Sequence, residues 1–299
     1  MGDADAPGVY LARMPELPEV ETVRRGLALV LEGHRLLRVQ ARRPDLRFPL
    51  TEGFGQRLTG AGVERLDRRA KYLRGWMSTG DVLVMHLGMT GRFEIDSGGR
   101  ARPGAFREPA STVDKHAHVV FETDAGTRIT FFDARRFGYM AVMSAEEMAR
   151  HPWFRSLGPE PLGPEFDGAC LARAFAGKTQ SVKAALLDQR VVAGLGNIYV
   201  CEALHRTGIS PVREAGRISR ARLDRLTVEI KAVLAEAIEA GGSTLRDYAA
   251  VDGALGYFQH RFQAYGREGQ PCTRTRCQGV LRRTVQSGRS TFHCPVCQR

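Results

Sequence analysis

The chain has no apolar run approaching the ~18 residues of a membrane span, and residues 1 to 13 carry no basic start followed by an apolar stretch, which argues against a secretory signal. Acidic residues are outnumbered, 33 against 44 Lys and Arg. Cysteine is sparse until the end: of six, only Cys170 and Cys201 lie outside the last 28 residues, and standing alone they read as buried and inert. With no export or membrane segment seen, the expected location is the reducing cytoplasm or nucleoid. Four crowded cysteines there point to a metal and not to disulfides.

What is present describes a folded chain of 299 residues, 43% hydrophobic, long enough for about two domains. A net charge of +11 and a pI near 9.8 suit a polyanionic partner, because each Lys or Arg laid on a phosphate releases counterions. Residues 1–13, with Gly2, Asp3, Asp5, Pro7 and Gly8, lack an amphipathic period; they are expected to be a disordered extension or a start-site artefact. From Pro18 onward Val20, Val23, Leu27 and Val30 predict a helix ending near Gly33. Val82 to Ile95, Ala117 to Thr123, Arg128 to Phe132 and Phe137 to Met143 are rich in β-branched and aromatic residues and predict antiparallel strands, two of them joined by a tight turn at Asp124-Ala125-Gly126. Ser97 to Asp114, full of Gly, Pro and Arg, reads as a long loop. After a Gly- and Pro-rich linker at Gly158 to Pro164 the pattern turns helical: Val182, Leu186 and Leu187, then Ile198 to Leu204, then Leu223 to Ala237, stopped by Gly241-Gly242. Asp252 to Gly256 reads as a flexible loop. The expected fold is α+β and multidomain: an N-terminal helix plus antiparallel β-sandwich over 14–150, a helical domain over 151–258 and a cysteine-rich tail over 259–299.

Chemistry is concentrated in Met14-Pro15-Glu16-Leu17-Pro18-Glu19. If Met14 is the initiator and is removed, Pro15 has a free secondary amine that titrates near ~8 and can attack an electrophilic carbon. Its aldehyde adduct is an iminium, cationic at any pH and an electron sink, with Glu16 beside it to give or take a proton. The same residues also read as a Pro-rich lead-in to a helix, with Pro18 in the first turn and Glu19 and Glu21 at its positive end.

Cys272-x4-Cys277, sixteen residues, then Cys294-x2-Cys297 supplies four thiolates at spacings usable by one tetrahedral structural zinc. Between them Val280 to Arg283 and Ser290 to His293 predict a hairpin turning at Gln286-Ser287-Gly288, with Arg289 at its apex, able to fork onto a phosphate. Gly194-Leu195-Gly196-Asn197-Ile198-Tyr199 reads either as an anion-binding helix start or as a Gly-rich turn with Asn197 as N-cap. Arg68-Arg69-Ala70-Lys71-Tyr72 reads as a basic strand end, Lys178 as a surface lysine, and Lys115-His116-Ala117-His118 as a strand with two histidines on one face. His86 to Gly91 and Asp133 to Gly138 read as strand ends with core Met and Phe.

The start of this chain closely resembles that of the formamidopyrimidine-DNA glycosylases, and the resemblance runs from Met14 to Arg299. It implies a helix-two-turns-helix element around Gly194 to Tyr199, a zinc-finger hairpin, and a bifunctional glycosylase and abasic-site lyase. The implied catalytic set is Pro15 as nucleophile, Glu16 as its acid, Lys71 as an active-site cation and Arg289 gripping the damaged strand. DNA contacts are implied for His116, Lys178 and Asn197. Met89, Arg135 and Phe137 would enter the duplex, since chemistry at the glycosidic carbon requires the nucleotide to leave the stack. The partner implied is double-stranded DNA with oxidised bases or abasic sites, bound by a monomer with no membrane. Two departures stand out: the family's first knuckle is usually Cys-x2-Cys, and Pro usually stands where Ala134 is. The sister family acting on oxidised pyrimidines shares the terminal proline and zinc hairpin, but Leu17 and the Asp252 to Phe258 loop favour the purine enzyme. A non-catalytic DNA-binding protein is the third reading, should residues 1–13 persist.

Overall fold

The computed structural model describes residues 14–97, 114–243 and 257–299. The expectations for 1–13, for most of Ser97 to Asp114 and for the Asp252 to Gly256 loop lie outside them. Helix α1 (Leu17–Leu31) buries Val20, Val23, Leu27 and Leu31, the face its periodicity marks, and ends where Gly33 takes φ +78°. There follow β1 (Leu36–Ala41), α2 (Phe54–Leu58), β2 (Val63–Arg69), β3 (Tyr72–Met77), β4 (Asp81–His86), β5 (Arg92–Asp96), β6 (Ala117–Thr123), β7 (Arg128–Phe132), β8 (Tyr139–Ser144) and α3 (Ala145–Arg150). The strands form two antiparallel sheets, β1-β6-β7-β5 and β2-β3-β4-β8. Leu36, Leu66, Leu73, Met85, Phe93, Val119, Phe121 and Phe131 fill the space between them.

The single run expected over Val82 to Ile95 is two strands in different sheets. Leu87 to Gly91 carries the chain across, which Gly88 at φ +61° permits. His116 and His118 do not share a strand face either. His116 ends a short 3-10 turn, whereas His118 is buried with Nε2 2.8 Å from the Asp133 carbonyl.

The second half comprises α4 (Gly168–Phe175), α5 (Val182–Leu187), α6 (Asn197–Thr207) and α7 (Arg220–Glu239). Its core of Phe166, Leu186, Tyr199, Leu204, Leu226, Ile230 and Leu234 also receives Phe292 from the terminal hairpin. That hairpin, β9 (Arg282–Gln286) and β10 (Arg289–His293), turns through Ser287-Gly288, both at positive φ. Such a two-residue turn matches the strand twist and extends β9 beyond the expected Arg283. Arg289 is therefore the first residue of β10, opposite Gln286. Cys201 is buried as expected, but Cys170 is half-buried.

Candidate active site between the sandwich and the helices

Pro15 and Glu16 are buried where α1 begins, in the seam between the two halves. The backbone amide of Glu16 donates to Glu19 Oε2 (3.0 Å), freeing its own side chain to cross the seam. There Oε1 accepts from Ile198 N (2.9 Å), with Oε2 3.5 Å from Tyr199 N. The anion at the start of α6 is thus a carboxylate and not the phosphate that the glycine pattern suggested. The N-cap is Gly196, one residue before Asn197, because a Cβ there would lie 2.1 Å from Glu16 Cδ. Asn197 instead donates from Nδ2 to the Ser290 carbonyl (2.9 Å), and its Oδ1 is buried without a hydrogen-bond partner.

Burial raises the Glu16 pKa to about 7; Lys71 opposes this and the neighbouring Glu19 adds to it. A carboxyl poised near neutrality can both give and take a proton. Lys71 lies in the two-residue turn between β2 and β3, after Ala70, which is buried at φ +53°. Glu160 holds this turn from the interdomain linker, accepting from Arg68 Nη1 (2.7 Å), Arg69 Nη1 (2.8 Å) and Ala70 N (2.6 Å). Desolvation lowers the Lys71 pKa and the Arg289 charge lowers it further, while Glu16 resists. Lys71, Glu16 and Arg289 therefore share one field. Arg289 itself is exposed.

Three groups at this site escaped the sequence reading. Lys183 is 1% exposed and donates from Nζ to the Ser290 carbonyl (3.0 Å) and Thr291 Oγ1 (2.6 Å), fastening the hairpin to α5. Its one visible signal was a lone charge in the apolar stretch Val182–Leu187. Glu160 was hidden in a linker. Glu19 was read only as a helix-start residue, yet its buried carboxylate also accepts from Tyr199 Oη (2.6 Å), Ser243 N (2.8 Å) and Ser243 Oγ (2.7 Å).

Met89, Arg135 and Phe137, for which the resemblance implies entry into the duplex, lie together in the structure. They line an open cleft of about 540 Å³ together with Met14, Leu46 and Arg47. The two loops interlock: a Cβ on Gly88 would lie 2.3 Å from Gly138 N. Buried Asp133 accepts from Thr90 Oγ1 and Gly138 N and sets the second loop. The Arg135 guanidinium lies 4.9 Å from the Phe137 ring centre, and both side chains face solvent. His116 is half-exposed, its carbonyl accepting from Asp133 N (3.0 Å), while half-exposed Lys178 follows α4. Among the described residues, neither hydrogen-bonds to Glu16, Lys71 or Arg289.

The sulfurs of Cys272, Cys277, Cys294 and Cys297 lie within 4.8 Å of one another, with Cys272–Cys297 at 3.7 Å and Cys277–Cys294 at 3.6 Å. A tetrahedron with metal–sulfur bonds of ~2.3 Å has edges of about 3.8 Å. The four cysteines fit a metal ion.

A buried, titratable carboxyl in the seam, together with an open cleft lined by the exposed Arg135 and Phe137, is compatible with an enzyme that acts on a nucleotide drawn out of a duplex. Residues 14–140 match the model of the formamidopyrimidine-DNA glycosylase N-terminal domain, and residues 157–249 that of the formamidopyrimidine-DNA glycosylase H2TH domain. The formamidopyrimidine-DNA glycosylase of Phenylobacterium zucineum is 64% identical over 287 residues, covering 96% of this chain and 100% of that protein. MutM (Fpg) from Thermus thermophilus is similar in structure, with a TM-score of 0.81, 37% identity and coverage of 95% of this chain and 98% of that one. Wild-type Lactococcus lactis Fpg bound to DNA containing N7-benzyl-Fapy-dG gives a TM-score of 0.82 at 32% identity, over 95% of this chain and 100% of that chain. The chain belongs to the formamidopyrimidine-DNA glycosylase family and is an enzyme of base excision repair.

Proposed function

We propose that the chain excises formamidopyrimidines and 8-oxoguanine from duplex DNA and then cuts the abasic strand, with Pro15 as nucleophile once it is N-terminal. The Pro15 nitrogen attacks C1′ and the base leaves. Glu16 protonates the ring oxygen as the sugar opens, giving the iminium. Loss of the C2′ proton then expels the 3′ phosphate, and a second elimination expels the 5′ phosphate. Lys71 and Arg289 stabilise the phosphates and developing charge. Met89 and Phe137 fill the vacated stack, Arg135 pairs with the orphaned base, and His116, Lys178 and Asn197 hold the backbone. The four cysteines hold one structural zinc that pins the Arg289 hairpin. The working unit is a cytoplasmic monomer divided at 14–150, 151–258 and 259–299.

The observation carrying this reading is the buried Glu16 carboxyl, next to Pro15 and poised near neutrality. A proline nitrogen inside a peptide bond is a delocalised amide and cannot attack. The experiment compares the form translated from Met1, verified as unprocessed by intact mass, with the form beginning at Pro15. With borohydride and an 8-oxoguanine duplex, the short form cross-links irreversibly and its Pro15→Gly variant traps poorly while still binding the lesion. Equal trapping by the unprocessed long form would remove Pro15 from the mechanism.

A further inference from the structure

Helix α6 holds Glu16 at its first turn and ends against the metal knuckle. His205, fully buried in its last turn, places Nε2 3.3 Å from Cys272 Sγ. Arg274, between Cys272 and Cys277, returns the contact by donating from Nη1 to the His205 carbonyl (3.2 Å). Gly208 makes room for it, since a Cβ there would lie 2.2 Å from that Nη1. A metal-bound thiolate carries no proton, so a nitrogen this close is held favourably only when Nε2 bears the hydrogen and donates it.

We propose that His205 is a positioning residue for the metal site. Its N–H···S bond draws charge from the Cys272 thiolate, slows attack on that sulfur by oxidants and joins metal retention to the helix whose first amides hold the Glu16 carboxylate. The inference rests on the reading of the four cysteines as a zinc site. Oxidation by a peroxide forms an S–O bond, breaks the O–O bond and expels hydroxide. It begins from a sulfur lone pair, which the hydrogen bond engages. An enzyme whose proposed substrate is oxidised DNA works where such oxidants are present.

The test uses the full chain loaded with zinc, as wild type, as the donorless His205→Phe and His205→Leu, and as His205→Gln, which restores an N–H donor. Zinc per chain is measured first, then its release into a chromogenic chelator after addition of hydrogen peroxide. Release is expected to be roughly tenfold faster in the donorless variants, as for loss of a bond that orients a metal ligand, with Cys272 the first cysteine modified by mass mapping. His205→Gln should recover most of the retention, and the cobalt-substituted donorless forms should show a shifted sulfur-to-cobalt charge-transfer band. Equal release rates in zinc-loaded wild type and variants, or faster release without recovery by His205→Gln, would overturn the role of His205 alone. A wild type that holds no zinc would overturn the zinc reading and this inference with it.

Discussion

Glu16 and Phe137 are both assigned to the same reaction, yet Glu16 is 5% exposed and Phe137 38%. Around Glu16 the partners are built in before DNA arrives: helix amides, Lys71 on a turn clamped by Glu160, and Lys183 fastening the hairpin. Around Phe137 the backbone is equally well held, by Asp133, but the side chains meet solvent. Proton transfer depends on desolvation and on fixed distances, so its groups must be placed in advance. A wedge gains its contacts only when bases surround it. Its loop must be firm and its tip free.

The comparison breaks first at Glu16. Its folded pKa of about 7 stands above the ordinary glutamate value of 4.5, so the folded state holds a proton that the unfolded chain releases between these values. This group's favourable contribution is complete below pH 4.5 and is lost as pH rises through about 7. The span corresponds to about 3 kcal/mol at 1.36 kcal/mol per pH unit. Glu16→Gln removes that titration. The stability of the variant relative to wild type should therefore rise by roughly this amount from pH 4.5 to 8, measured by denaturant unfolding across the range. A constant difference would show that Glu16 titrates like an exposed carboxyl and that the site is wet. Second in size is Gly196→Ala, whose methyl must displace the Glu16 carboxylate. Single-turnover cleavage of an abasic-site duplex should fall about a hundredfold, the order expected for a misplacement near 1 Å, with DNA affinity little changed. Full cleavage by this variant would mean that the carboxylate position does not matter.

Periodicity revealed α1 and α7, because one face of each is apolar and buried. It merged β4 with β5, because Leu87 and Met89 carry the apolar pattern of Val82 to Met85 on towards Phe93 and Ile95, and the glycines between them mark a turn without saying that the chain changes sheet. At the candidate site, Pro15, Glu16, Lys71 and Arg289 are singled out by their local motifs. Lys183, Glu160 and Glu19 are not, because their partners lie 107, 90 and 224 residues away in Ser290, Ala70 and Ser243. The Gly194-Leu195-Gly196 turn reads from sequence either as an anion site or as a Gly-rich turn, and its first helix amides meet the Glu16 carboxylate, which asks the same of a helix start as a phosphate does. Only the fold says that Glu16 arrives first.

The smallest expected effect separates the two regions most directly. Extruding a nucleotide from a duplex costs a few kcal/mol and costs least when the strand is already single. A residue that serves extrusion should therefore matter in proportion to the stacking that must be broken, whereas a residue that serves chemistry should matter equally in both settings. Phe137→Ala removes an exposed ring without disturbing Asp133 or the Gly88–Gly138 contact beneath it. Its kcat/KM on an 8-oxoguanine duplex should drop about tenfold, the scale of a partial loss of that extrusion energy. Cleavage of an abasic site in single-stranded DNA should stay within about twofold, while Gly196→Ala should lose both activities together. If Phe137→Ala slows the two substrates alike, the ring contributes to the reacting geometry, and the division between a prebuilt chemical site and a free wedge does not hold.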